Sequence, residues 1–176
     1  MLRFEPKRAC VLAVVVLGMW GLKRHYATAG ADELRWMLTP TARAVGAITG
    51  VTFEHESGSG YLCRERLFAI EKACAGINFM IAAFGMLGFV LSRRATSWGR
   101  AVAVVAGSLF LSYAAAVVVN VARISFAMML ASWHLRSAWF DAAGLHRLEG
   151  VVVYFGALLA LHGLVLRFAA GRGVAS

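Results

Sequence analysis

AVAVVAGSLFLSYAAAVVVNVARISFAMML, residues 101–130, carries two strongly polar side chains, Asn120 and Arg123, and is otherwise small or apolar. A helix on the surface of a soluble protein needs a polar stripe along its length. This stretch has none. A bilayer core about 30 Å thick is crossed by about 20 helical residues, so the run predicts a membrane span. Three other stretches read the same way: 9–27, 73–91 and 148–166. The first is the shortest in apolar content and relies on Lys7, Arg8, Lys23 and Arg24 reaching outward along their stems. Composition agrees. The chain is 60% hydrophobic with a mean hydropathy of +0.70, above the range of about 45–50% apolar residues in soluble domains. The expected fold is an all-α integral membrane protein. It has four transmembrane helices in one membrane domain, 1–176, with outer loops at 28–72 and 131–147.

A formal charge of +9 would suit nucleic acid in a soluble chain. Here the basic residues border apolar spans, where they are expected in any case. No nucleic-acid-binding motif is present, so the lipid bilayer is the expected partner and nucleic acid is not. Three cysteines without a Cys-x-x-Cys pair make neither a disulfide framework nor a zinc site. No metal-ligand spacing or glycine-rich phosphate loop appears, and no cofactor is expected.

Charge also predicts orientation. With the N-terminus inside, the inner segments 1–8, 92–100 and 167–176 hold eight Lys/Arg and a single acid, Glu5. The remaining eight acids fall outside or at the outer ends of spans. Basic residues concentrated on the cytoplasmic side place both termini there. The first span has the basic start and Ala-x-Ala of a signal peptide. Lys23, Arg24 and His25 stand between its apolar centre and Ala27, which favours a retained anchor.

Between spans one and two, ELRWMLTPTARAVGAITG places Leu34, Met37, Leu38, Ala42, Val45 and Ile48 at helical spacing, interrupted by Pro40. An amphipathic helix kinked at the proline and lying at the membrane interface is expected. VTFEHESGSGYLCRERLFAI follows, with alternating runs around Ser-Gly-Ser-Gly, and predicts a short hairpin. Trp133, Trp139 and Phe140 in the second outer loop suit a membrane–water boundary.

Distance along the spans singles out three residues. Cys74 is 20 positions from Arg94, Arg123 is 23 from Arg100, and His146 is 21 from Arg167. At 1.5 Å per residue these are rises of about 30, 34 and 31 Å. Straight helices would therefore lift a thiol, a guanidinium and an imidazole to one level near the outer face. A thiolate is a nucleophile that nearby positive charge or a helix N-terminus favours. Cys74 is expected to open its span with the positive helix end pointing at it. His146 is the candidate base and acid, and Arg123 the candidate holder of thiolate or oxyanion. Asn120, three residues before Arg123 and so on one helix face, would orient the guanidinium or a substrate carbonyl. Gly76 would let backbone or substrate approach.

At these residues the chain resembles a family. ACAGINF, 73–79, is similar to the Ala-Cys-Ser/Ala-Gly signature of exosortases and archaeosortases. NVARIS, 120–125, resembles their Asn-x-x-Arg segment, and HRLEGVVVYF, 146–155, their histidine-led final span. The loop LTPTARAVGAITGVTFEHESGSGYL, 38–62, is also of their kind. GYLCRERLFAIEKACAGINFMIAAFG, 60–85, looks closest to the exosortase K branch. The resemblance implies a polytopic cysteine peptidase or transpeptidase of the cytoplasmic membrane. Its substrate would be an exported protein with a C-terminal sorting signal made of a short motif, a membrane helix and a basic tail. It implies Cys74 as nucleophile, Arg123 as transition-state stabiliser and His146 as acid–base, on the outer side. Many members of the family have more spans than these four.

Two other classes compete. A DsbB-like thiol redox membrane protein is also a small four-span bundle, and a Cys63–Cys74 pair would serve it while blocking the nucleophile. A non-enzymatic membrane assembly subunit would leave Arg123 and His146 pointing away from Cys74.

Overall fold

The computed structural model describes the backbone of residues 5–132 and 142–170 and the side chains of 5–129 and 150–168. The chain forms α1 (Pro6–Thr28), α2 (Arg35–Thr49), β1 (Glu54–Glu56), β2 (Gly60–Cys63) and β3 (Phe68–Ile70). Then come α3 (Ile77–Leu91), α4 (Trp98–Ser132) and α5 (Ala142–Ala170). Among the described residues, four helices are long and apolar enough to cross a membrane: Pro6–Thr28, Lys72–Arg94, Trp98–Met129 and Gly150–Phe168. Large apolar side chains such as Leu17, Trp20, Phe110, Val118, Phe155 and Phe168 stand exposed along them. Outward apolar faces on helices whose backbone bonds are internally satisfied are what lipid requires. The protein is an all-α membrane protein with a small sheet between its first two spans.

The contacts divide the chain into two compact units. One holds α1, α3, α4 as far as Ala116 and α5 from Leu158. Its core is Val11, Val15, Phe84, Ala95 and Ala101, flanked by Met19, Leu22, Val104 and Val105. α1 and α3 approach closely because Gly88 has no side chain: a Cβ there would lie 2.5 Å from Val15 Cγ2. Small residues at such crossings let helix backbones pack tightly where no hydrophobic force separates protein from lipid. Basic residues near the two ends of α1 bond across to α3 and to the segment that follows it. Lys7 Nζ donates to the Thr96 carbonyl at 3.0 Å, and Lys23 Nζ to Asn78 Oδ1 at 2.9 Å.

The second unit holds residues 28–76, α4 from Val117 and α5 as far as Ala157. The hairpin expected around Ser-Gly-Ser-Gly is present, and a third strand extends it. β2 pairs antiparallel with β1 on one side (His55 opposite Tyr61) and with β3 on the other (Leu62 opposite Ala69). Leu67, at φ 49°, turns the chain back so that Phe68–Ile70 can pair. The alternating stretch 51–70 that predicted a hairpin thus makes three strands, because a second turn at 64–67 follows the one at Ser-Gly-Ser-Gly. As the middle strand, β2 is the buried one: Cys63 is 1% exposed and Tyr61 8%.

α2 forms where the helical spacing predicted and runs through Pro40. Most of its apolar face is buried against protein: Leu34, Met37, Leu38 and Val45 are fully buried, and the helix packs on β2, while Ile48 stays exposed. The sheet thus supplies an apolar partner that the sequence reading did not assign. Removing these side chains from water, at about 1.5–3 kcal/mol each, offsets the bond that Pro40 removes from the helix.

The β1–β2 turn is tied down by Asp32. Its carboxylate accepts the Gly58 N–H at 2.9 Å, the Ser57 hydroxyl at 3.0 Å and His55 Nε2 at 3.0 Å. The Gly58 bond, followed by Ser57 and His55, holds Asp32 below the ordinary carboxylate value of 3.8. A group whose folded pKa is depressed contributes stability above its unfolded value, near pH 4, and loses it as pH falls through the folded one. Protection of the Gly58 amide against hydrogen exchange should therefore drop below about pH 4. In Asp32→Asn that drop should be absent. An identical pH profile in the variant would show that the carboxylate does not hold the turn.

Candidate active site

Span two does not begin as a helix at Cys74. Lys72–Cys74 is a single tight turn, closed by Cys74 N–H on the Glu71 carbonyl at 2.8 Å and Ala75 N–H on the Lys72 carbonyl at 3.0 Å. α3 starts only at Ile77. The break is Gly76, at φ +68°, a left-handed conformation that side-chain-bearing residues adopt at a cost. The expectation that Cys74 opens the helix of span two is corrected accordingly: the thiol sits in the turn before α3. Cys74 is partly buried, and all three cysteines, Cys10, Cys63 and Cys74, are free.

Gly76 also makes room. A Cβ at this position would lie 3.3 Å from Asn120 Cγ. The missing side chain lets α4 bring Asn120 against the turn, where its Nδ2 donates to the Cys74 carbonyl. Asn120 is fully buried, and a buried amide in an apolar span needs such partners. Its Oδ1 accepts the Tyr154 hydroxyl of α5 at 2.9 Å. One turn further along α4, Arg123 Nη1 donates to the same Tyr154 oxygen at 3.2 Å. The guanidinium carbon lies 5.3 Å from the Tyr154 ring centroid, within the range of a cation–π contact. Arg123 is 8% exposed. Gly150, one turn before Tyr154, lines the other side: a Cβ there would come within 3.1 Å of Arg123 Nε.

Three of the five residues singled out in the sequence, Cys74, Gly76 and Asn120, therefore meet at one point. Arg123 joins them through Tyr154. Residue 146 lies on α5 one turn before Gly150, and its side chain is outside the described residues. Sequence reading did not single out Tyr154, which lies inside the predicted span 148–166. The available signal was spacing: His146, Gly150 and Tyr154 recur every four residues and so share one face of a helix.

The arrangement gathers a thiol-bearing turn, a buried amide, a phenol and a nearly buried cation at the meeting of α4, α5 and the turn before α3. The sequence profile of the transmembrane exosortases matches residues 7–163. The chain belongs to the transmembrane exosortase family. The matched segment takes in α1, the loop with α2 and the sheet, α3, α4 and most of α5, so every residue of the candidate site lies inside it. No curated protein and no solved structure matches the chain.

Proposed function

We propose that this exosortase is a membrane-embedded cysteine peptidase or transpeptidase that cleaves C-terminal sorting signals of exported proteins. It acts at the outer face of the cytoplasmic membrane, with both termini in the cytoplasm. The observation that carries this reading is the hydrogen-bonded chain from the Cys74 carbonyl through Asn120 and Tyr154 to Arg123. Such a chain holds a guanidinium at a fixed place relative to the turn that bears the thiol.

The substrate's own membrane helix docks beside the bundle and presents the scissile bond at the turn. The Cys74 thiolate attacks the carbonyl carbon, forming a C–S bond and pushing the carbonyl electron pair onto oxygen. Arg123 stabilises that oxyanion. The tetrahedral intermediate collapses, the C–N bond breaks, and His146 gives a proton to the leaving amine. The resulting thioester is resolved by water or by an acceptor amine. His146 removes that nucleophile's proton, and the thiolate is released. Asn120 orients the turn and Gly76 admits it.

A single-thiol enzyme, Cys10→Ser with Cys63→Ala, tests the reading. A charged, membrane-impermeant maleimide added to intact cells should modify Cys74, and cleavage of a sorting-signal reporter should fall in step with the fraction modified. A fully labelled enzyme that still cleaves at the unlabelled rate rules out Cys74 as nucleophile. Labelling that requires permeabilised cells rules out the outward orientation.

A further inference from the structure

A second feature of the loop unit lies apart from the thiol. α2 presents Arg35, Thr39, Arg43 and Gly46 at intervals of four, four and three residues along one face, beside the face it buries on β2. That face forms one wall of a cleft of about 510 Å³, within the range of about 300–1,000 Å³ typical of small-molecule sites. The opposite wall is Val51 and Phe53 from the segment after α2, with His55 and Tyr61 from the sheet. The cleft is set by the sequence. Gly50 ends α2 in a left-handed conformation, and Gly46 leaves space for the returning chain: a Cβ there would lie 2.7 Å from the Val51 carbonyl.

The charges around the cleft are unbalanced. The neighbouring acids are already bonded. Asp32 is taken up by Gly58, Ser57 and the wall residue His55, Glu33 accepts the Gly30 N–H, and Glu54 and Glu56 face Arg64 at 3.7 and 3.6 Å. No acidic side chain lines the cleft. The side chains of Arg35 and Arg43 form no hydrogen bond or ion pair among the described residues. Their Cα atoms are about 12 Å apart along the helix, a gap that two long side chains close from either end. Two guanidiniums without counter-ions, beside apolar lining from Ala42, Val51 and Phe53, match an oxyanion attached to an apolar body. The planar fork of arginine pairs two donors with two oxygens of such a group.

We propose that this cleft is a binding site for a phosphate group, the phosphodiester head of an anionic membrane lipid, with Arg35 and Arg43 as its ligands. The bilayer supplies that group at high concentration, and the apolar lining accepts the start of the chains. The site is independent of Cys74 and stands whether or not the chain is a peptidase.

The test uses the full chain in a mild detergent, titrated with dioleoyl phosphatidylglycerol, dioleoylglycerol or inorganic phosphate and read by native mass spectrometry and thermal unfolding. Phosphatidylglycerol should bind and raise the unfolding midpoint, and dioleoylglycerol should not. In Arg35→Gln/Arg43→Gln the affinity should fall about tenfold or more, as loss of charge-assisted hydrogen bonds predicts. Both arginines are exposed, so the variant should keep the wild-type circular dichroism. Arg35→Lys/Arg43→Lys, which keeps charge and loses the fork, should fall between the two. Binding of inorganic phosphate as tight as that of the lipid would assign the site to a soluble phosphate. Equal binding of phosphatidylglycerol and dioleoylglycerol, or undiminished binding in the Gln variant, would overturn the proposal.

Discussion

Cys74→Ser should reduce cleavage of a sorting-signal reporter by about a thousandfold or more. A serine hydroxyl is far less acidic than a thiol and needs a base to ionise it during attack, whereas a thiolate arrives already nucleophilic. The exchange is also close to isosteric, so a structural cause for the loss is hard to find. Cys74 enters the bonds of its turn through its main chain: its N–H bonds the Glu71 carbonyl, and its carbonyl accepts from the Asn120 amide. None of these bonds involves sulfur. Cys63 is the internal comparison. It is buried in the middle strand at 1% exposure, so Cys63→Ala should cost some stability and leave cleavage near wild type. A serine variant that processes the reporter at a normal rate, while folded, would end the peptidase reading. Loss of activity in Cys63→Ala equal to that in Cys74→Ser would instead favour a paired-thiol chemistry.

What could be read from the sequence follows from which interactions are local. The four spans were legible because length and apolarity are properties of a continuous stretch, and each helix covers its expected range apart from the start of span two. That start was missed because one glycine conformation, φ +68° at Gly76, separates a turn from a helix, and apolar content does not report it. The fate of the α2 face was illegible for a different reason. An apolar stripe says that something covers it, not whether lipid or β2 does so. The third strand, Phe68–Ile70, needed the register of β2 to be recognised. Within the candidate site, Asn120 and Arg123 announced themselves as polar groups in a span, since burying either without a partner is costly. Tyr154 did not, because a tyrosine within an apolar span carries its one polar atom on a large apolar ring. Its role depends on α5 lying beside α4, which one sequence does not reveal.

The Arg123 substitutions separate a charge from a shaped charge. Arg123→Ala should lower kcat by about 10²–10³, the loss seen when a single oxyanion donor is removed. Arg123→Lys should lose nearly as much. Lysine keeps one positive charge, but it is a point donor on a flexible stem and cannot reproduce a planar fork fixed from two sides. Here those sides are occupied. Tyr154 takes the Nη1 bond and offers its ring face at 5.3 Å, and Gly150 closes to within a Cβ's reach of Nε. A lysine ammonium would leave the space against Gly150 empty and drop the contact with the tyrosine face. Tyr154→Phe gives the complementary case. It keeps the ring under the guanidinium and removes the hydroxyl that joins Arg123 to Asn120, so it should lose less, about tenfold, the worth of one hydrogen bond to a charged group. The readout is single-turnover cleavage of a reporter peptide by purified enzyme, which isolates the chemical step from binding. If the guanidinium only anchors α4 to α5, the order changes: Arg123→Lys and Tyr154→Phe would match wild type in kcat and differ in thermal stability. If it meets the developing oxyanion, kcat falls in the order alanine, lysine, then the tyrosine variant, and stability does not follow that order.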